Sequence, residues 1–200
     1  AGLWAECSQI DEGKPRGCTT VVGARIIDRK PVNLMTGPPL DRNDDETSTA
    51  DFMKDESAKH IVSGGTSATI LSRELGRPLR VSMDYSDPDI PPIAFMEGID
   101  LVTEGVLTLR KAIELLKRYL IECDLSSEFF SELDKKNGAS MIAKILIEDC
   151  TELHMFVGTA ANSAYQNPGL AFDLGIRQNL VKQLKEAVEG MGKKVTVTYY

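Results

Sequence analysis

The chain has few of the features that mark membrane proteins or nucleic-acid-binding proteins. No apolar run approaches the roughly 20 residues that span a bilayer, so we expect neither a membrane segment nor a signal peptide. The 200 residues include 23 basic and 30 acidic side chains, for a net charge of −7, and the basic residues are scattered along the sequence. This distribution of charge argues against nucleic acid as a partner.

Cysteine and histidine are also scarce, which limits metal and nucleophilic chemistry. The chain has two histidines, and no pair of its cysteines has C-x-x-C spacing, so no metal site is predicted. His154 stands beside apolar Met155 and Phe156 and is interpreted as a core residue, so no catalytic triad is proposed. The four cysteines are interpreted as reduced, buried thiols of a cytoplasmic protein: Cys7, Cys18, Cys123 and Cys150.

What the sequence does have is an alternation of strand-like and helix-like segments. The clearest helix places apolar residues at three- and four-residue spacing from Val106 to Leu120. Strands are predicted at residues 19–27, 31–36, 60–62, 79–83, 99–102, 153–157 and 195–199. Strands separated by helices need crossover connections, which predicts a three-layer α/β sandwich with a mostly parallel, Rossmann-like sheet covered on both sides. The direction of the last strand is left open.

The most informative segment, residues 59–71, has the pattern of a short buried strand that turns through Gly64 and Gly65 into a helix. The glycines permit positive φ and close backbone approach, and Thr66 or Ser67 is predicted to cap the helix. The free N–H groups of the helix would then face a phosphate or carboxylate. The turn lacks the remaining residues of a P-loop or dinucleotide fingerprint, so a plain strand-to-helix connection is the alternative.

Four predicted strands end in small or polar residues, at 36–38, 63–67, 103–105 and 158–162. In an open parallel sheet these ends share one edge, and ligands bind in the crevice outside it. The sequence therefore predicts a pocket for a phosphate-containing or other anionic ligand, with no cofactor identified. The candidate ligand-binding residues are Ser63, Gly64, Gly65, Thr66, Ser67, Thr103, Gly105 and Asn162.

Glu104 is the one obvious titratable group of this predicted crevice. It is a candidate general base, and it could equally cap the helix that begins near Val106. The acidic residues from Asp84 to Asp100 are interpreted as a solvated loop, because their spacing matches no calcium-binding loop. Catalysis and capping therefore both stay open for Glu104.

Residues 13–22, Gly-Lys-Pro-Arg-Gly-Cys-Thr-Thr-Val-Val, resemble the closing segment of bacterial metal-dependent serine/threonine protein phosphatases of the stage II sporulation protein E type. In that family a glycine- or proline-containing turn leads to Asp-Asp-Thr and a final strand. The resemblance implies that residues 1–28 are the tail of a phosphatase domain in cis and that residues 29–200 form an α/β accessory domain. Three further stretches resemble the C-terminal extension of some members: residues 60–75, 87–106 and 157–170.

The chain departs from that family at its metal-binding positions. Gly17 and Cys18 stand where the family has the paired aspartates that help to hold divalent metals. The resemblance therefore implies no phosphatase activity for this chain alone. Three functions are kept open: a regulatory domain that senses a small anion, an independent enzyme that acts on a phosphorylated small molecule, and an interaction module that forms a homodimer.

Overall fold

A computed structural model describes residues 26–82, 90–122, 124–160 and 170–200, with side chains from residue 175 onward in the last range. Within these ranges the chain forms seven strands and six helices. The strands are β1 (Pro31–Thr36), β2 (Lys59–Ser63), β3 (Arg80–Val81), β4 (Ala94–Met96), β5 (Ile99–Thr103), β6 (Glu152–Val157) and β7 (Lys194–Tyr199). The helices are α1 (Asp44–Met53), α2 (Gly65–Leu75), α3 (Val106–Ile121), α4 (Ser127–Leu133), α5 (Gly138–Glu148) and α6 (Leu170–Gly190).

All seven strands belong to one sheet, in the order β3-β4-β5-β2-β1-β6-β7. The strands from β5 to β7 in this order run parallel, whereas β3 and β4 pair antiparallel at one edge. β7, whose direction the sequence left open, is parallel to β6. A mostly parallel sheet with helices on both faces confirms the predicted three-layer, Rossmann-like α/β fold.

The side chains of each strand alternate between two separate cores, as the pleat of a strand requires. Leu34 and Ile61 belong to the larger core, which α3, α4, α5 and α6 cover. Their neighbours Met35 and Val62 belong to the smaller core under α1 and α2. The helices that connect β1, β2 and β3 therefore lie on one face of the sheet, and the helices that connect β5, β6 and β7 lie on the other. The strand order reverses between β1 and β6, which makes that pair the topological switch point.

The expectation that helices cover both faces holds only in part. On the side of α1 and α2, the surface of β6 and β7 is open and forms a groove of about 490 Å³. His154 is exposed in this groove, so its interpretation as a core residue is wrong. It occupies a strand position that faces the uncovered side of the sheet, whereas Met155 faces the larger core.

The other histidine, His60, is buried beneath α1 and makes the stability of the fold depend on pH. Its side chain is 5% exposed, and its Nε2 lies 3.1 Å from the carbonyl oxygen of Phe52. Burial lowers the pKa of His60 below the ordinary value of 6.5. As the pH falls below 6.5, His60 takes up a proton in the unfolded chain, whereas in the folded chain it stays neutral until a lower pH. The free energy of unfolding is therefore expected to fall as the pH drops below about 6.5 and to be unaffected by His60 above it.

Urea unfolding between about pH 7.5 and pH 5 measures this dependence. We expect His60→Gln to flatten the slope of the unfolding free energy against pH, because the titrating group is gone. His154→Gln is the matched control, since it changes the other histidine of the chain at an exposed position. Equal slopes in the wild type and in His60→Gln would contradict the assignment.

Candidate functional site

The ends of four parallel strands lie side by side at the carboxyl edge of the sheet, as the sequence predicted. Thr36 is in register with Ser63 of β2 and with Val157 of β6, and Ser63 is in register with Thr103 of β5. The loops that follow these strands therefore share one edge. Asn162, the remaining predicted ligand-binding residue, lies outside the described residues.

The switch point between β1 and β6 is closed by the chain itself. The N–H of Gly158 donates to Thr36 O at 3.0 Å, and the N–H of Ala160 donates to Pro38 O at 3.1 Å. The guanidinium of Arg177 donates to Gly158 O at 3.2 Å and to Ala160 O at 2.8 Å. Among the described residues, backbone and a guanidinium thus close most of the usual ligand crevice of such a sheet, with a cavity of only about 10 Å³ left beside Gly37 and Gly158. The ends of β2 and β5 are the more accessible part of the described edge.

Arg177 is a residue that the sequence reasoning missed. It lies in α6, the helix that follows β6, and helical side chains lean toward the N-terminus of their own helix. A long side chain at this position therefore reaches back to the carboxyl edge of the sheet. A basic residue within the first turns of a helix that follows a parallel strand is the signal that could have found it.

The turns after β2 and β5 bring two helix N-termini together. The N–H of Gly64 donates to Thr103 O at 2.9 Å, and a Cβ added to Gly105 would lie 3.5 Å from the Cα of Gly64. Gly64 has φ 128°, a conformation that favours glycine. α2 begins at Gly65 and α3 begins at Val106, directly after these two glycines. The first N–H groups of both helices therefore lie at the same part of the edge.

No side chain caps either of these helices, so the predicted capping roles are wrong. The N-cap of α2 is Gly64 and that of α3 is Gly105, and neither helix has a side-chain cap hydrogen bond. Thr66 and Ser67 lie inside the first turn of α2 instead of preceding it. Glu104 precedes the N-cap of α3 and does not cap it. The N-terminal N–H groups of both helices consequently keep their capacity to bind an acceptor.

Three other helices have side-chain caps or acidic residues at their N-termini. Ser126 accepts a hydrogen bond from an N–H in the first turn of α4, and Asn137 does the same for α5. The first turn of α1 holds three acidic residues, which offset the positive end of its dipole. The first turns of α2 and α3 hold none. The pair of helices at the accessible edge therefore combines free donors with first turns that hold no acidic residue, and Glu104, just before the N-cap of α3, is the one carboxylate placed directly before either helix.

The predicted hydroxyl residues divide into two groups. The hydroxyls of Ser63 and Thr103 both donate to the carbonyl oxygen of Glu104, at 3.0 and 2.9 Å, and both residues are buried. They fix the turn after β5. Ser67 is 1% exposed, its Oγ has no hydrogen-bond partner, and this Oγ lies 3.6 Å from the position of a Cβ on Gly64. The Ser67 hydroxyl thus faces the glycine turn with its hydrogen-bonding capacity unused.

Space is available on both sides of the glycine turn. Ser67 lines a cavity of about 10 Å³, which holds one water molecule. On the outer side Gly65 is exposed, and a Cβ added there would meet no atom within 4 Å. A ligand can therefore approach the N-terminus of α2 from solvent without displacing a side chain at Gly65.

Glu104 is half-buried beside these turns, and its Oε2 is buried without a hydrogen-bond partner. The carboxylate follows β5 directly, so it lies at the same edge as Gly64 and Gly105. Thr108, in the first turn of α3, also has a buried hydroxyl without a partner. Near these turns an acid and two buried hydroxyls thus have hydrogen bonds that the described residues do not complete.

Cys150 lies in the short connection between α5 and β6 and is buried. Burial raises the pKa of its thiol to about 11. A thiol with a raised pKa is a weak nucleophile at neutral pH. This confirms the predicted buried thiol at Cys150. Cys7, Cys18 and Cys123 lie outside the described residues.

Within the part of the chain that the structure describes, no helix is long and apolar enough to cross a membrane. Over the same residues, no group of three His, Cys, Asp or Glu side chains is placed to hold a metal ion. Comparison of the chain with protein-family models, with curated proteins and with solved structures found no match in any of the three.

Proposed function

We propose that this domain binds a small anionic ligand, such as a phosphate-bearing metabolite, at the adjacent N-termini of α2 and α3. The observation that carries the proposal is the pairing of two helix N-termini without side-chain caps or acidic first turns. The buried, unpartnered hydroxyl of Ser67 supplies a further donor beside them. By the phosphatase resemblance, ligand binding here would regulate a phosphatase domain in cis, and this chain would not itself hydrolyse phosphoesters.

Electrostatics favour an anion at this position. Each helix N-terminus carries about half a positive elementary charge, so the attractions of two adjacent termini for one anionic group add together. The whole chain has a net charge of −7, which repels anions at long range, so the attraction has to come from these local dipoles and N–H groups. Backbone N–H groups and a hydroxyl then supply directional hydrogen bonds to the oxygens of a phosphate or carboxylate.

Gly65→Val tests the position of the ligand. A thermal-shift screen of the chain against phosphate, sugar phosphates and nucleotides should find a stabilising ligand, worth about 2.7 kcal/mol at a hundredfold excess over its dissociation constant. A Cβ at Gly65 meets no protein atom within 4 Å, so the fold should persist while the valine side chain blocks the approach to the N–H groups of α2. We expect the thermal shift to disappear in this variant.

Two further variants separate binding from folding. Ser67→Ala removes a hydroxyl that has no hydrogen-bond partner. The stability of the free protein should therefore be unchanged or slightly raised, whereas the affinity for the ligand should fall. Gly175→Val is the matched control for Gly65→Val, because a Cβ at Gly175 in α6 also meets no atom within 4 Å. A screen without any stabilising ligand, or a ligand whose shift survives Gly65→Val, would refute the proposed site.

A second candidate function is favoured by Glu104. An exposed approach, an anion site and a carboxylate oxygen without a partner together suit a general base that acts on a phosphorylated small molecule. On this hypothesis Glu104→Gln abolishes turnover of the ligand found in the screen while the thermal shift remains. Turnover that survives Glu104→Gln would exclude Glu104 as the base.

A further inference from the structure

The two edge strands of the sheet are built differently. β3 has two residues, and the pairing of β4 with β5 shifts its register between Ala94 and Met96. Short strands and irregular pairing are ways in which proteins block an edge against further strands. β7 has six residues, contains no proline or glycine, and stays in register with β6 over its whole length. Among the described residues no strand pairs with its outer side.

The hydrogen bonds of β7 show which of its residues face outward. The N–H of Lys194 donates to Thr151 O at 3.3 Å, and the N–H of Tyr200 donates to Val157 O at 3.0 Å. Alternate residues of a strand bond to the same neighbour, so the even-numbered residues of β7 bond to β6. Val195, Val197 and Tyr199 therefore direct their N–H and C=O groups away from the sheet.

We propose that two copies of this chain form a dimer by pairing their β7 strands antiparallel, with the two-fold axis at Val197. In this register Val197 exchanges both of its backbone hydrogen bonds with Val197 of the second copy, and Val195 does so with Tyr199. Only a two-fold axis perpendicular to the sheet keeps the corresponding faces of both sheets on the same side. That symmetry requires odd-numbered residues to pair with odd-numbered residues, which are the residues whose backbone groups face outward.

The side chains of β7 are self-complementary in this register, which identifies the occupant as a second copy. On the helix-covered face, half-buried Val197 meets its own copy, and half-buried Val195 meets Tyr199, which is 57% exposed in one chain. On the open face, Thr196 lies opposite Thr198. Pairs of β-branched and aromatic residues, and pairs of threonines, are favourable cross-strand neighbours. The one charged residue of the strand, Lys194, lies far from its own copy because the strands are antiparallel.

Sedimentation or light scattering of the whole chain tests the proposal. The expected mass is twice the 21.9 kDa of one chain, falling toward one chain on dilution. Val197→Pro removes an N–H that faces outward and none that bonds to β6, so it should halve the mass while the circular dichroism spectrum stays native. A wild-type chain that is monomeric at every concentration, or a Val197→Pro variant that is folded and dimeric, would overturn the proposal.

A charge exchange tests the register without altering the backbone. The double variant Thr196→Glu with Thr198→Glu places carboxylates opposite each other, and Thr196→Lys with Thr198→Lys does the same with ammonium groups. Each variant alone should have half the wild-type mass, and a mixture of the two should regain the dimer mass. Both positions lie on the open face of the sheet, so the cores are untouched. Dimers of either double variant alone would overturn the assigned register.

Discussion

Gly158→Ala is expected to lower the free energy of unfolding by roughly 3 kcal/mol or more, one of the largest effects of any single methyl group in this chain. A Cβ at Gly158 would overlap the carbonyl group of Pro38 and lie 2.5 Å from Gly37 O. These neighbours are backbone atoms, so no rotation of a side chain relieves the overlap. The loops after β1 and β6 would have to separate, which breaks the hydrogen bonds of Gly158 to Thr36 and of Ala160 to Pro38.

Thermal or urea unfolding measures this effect, and the expected loss corresponds to a fall in Tm of roughly 10 °C for a chain of this size. Gly65→Ala is the matched control, because its added methyl group meets no atom within 4 Å. The control should stay within about 0.5 kcal/mol of the wild type. Equal stability of the two variants would show that the loops after β1 and β6 do not cross as closely as the structure places them.

The close crossing at Gly158 is also a reason why we propose the anion site at β2 and β5. Doubly wound sheets usually bind ligands at the switch point, where the loops diverge and leave a crevice. Here the loops after β1 and β6 bond to each other, Arg177 donates to the loop after β6, and only a cavity of about 10 Å³ remains beside Gly37 and Gly158. The next divergence along the edge is at β2 and β5, whose following helices depart on opposite faces of the sheet. The glycine turns at Gly64 and Gly105 mark that second divergence.

Most of the parallel sheet was predictable from the sequence because its strands are short apolar runs bounded by breakers. β1 begins at Pro31 and ends before Gly37, as predicted, and α2 ends at Gly76, which has the left-handed conformation that glycine supplies at helix ends. The apolar spacing of α3 likewise predicted the buried positions of Leu109, Ile113 and Leu116, whereas Leu120 at the end of the predicted face is 39% exposed. These features depend on local chemistry, which a single sequence carries.

Two elements were missed because their signals are short. α4 has seven residues, and only the N-cap Ser126 with Phe129 and Leu133 one turn apart indicates it. β4 has three residues and is defined by its pairing with β5 through the turn at Gly98, which has φ 77°. Elements of three and seven residues are too short to show a clear hydrophobic period, although β4 pairs with the strand that follows it directly in the chain.

The candidate site was predicted in part for the same reason. The glycines at positions 64, 65 and 105 are visible in the sequence, and the parallel topology places them at one edge. The capping roles of Thr66, Ser67 and Glu104 were wrong because a glycine took the N-cap position in both helices. The exposure of His154 depends on which face of the sheet lacks a helix, and strand periodicity is the same for a covered face and an open one.

Phe52→Ala is expected to lower the free energy of unfolding by about 3 to 5 kcal/mol. The ring of Phe52 is fully buried and makes edge contacts with His60, at a centroid distance of 5.0 Å, and with Phe156, at 5.6 Å. Its carbonyl oxygen accepts a hydrogen bond from Asn33 Nδ2 at 2.7 Å and lies 3.1 Å from the ring nitrogen of His60. A cavity at this position would therefore remove the ring contacts. It would also let the Phe52 carbonyl move away from its partners, the buried side chains of Asn33 and His60.

Phe130→Ala is the matched control, because Phe130 is also helical but 48% exposed, and its loss should cost less than about 1 kcal/mol. Urea unfolding, analysed with one m value for both variants, gives the two free energies of unfolding for direct comparison. Because Phe52 holds α1 against the sheet and His60 lies beneath it, the Phe52→Ala variant should also bring the pKa of His60 closer to its ordinary value as water reaches the imidazole. A Phe52→Ala variant no less stable than Phe130→Ala would contradict the placement of α1 over β1 and β2, and with it the buried position of His60.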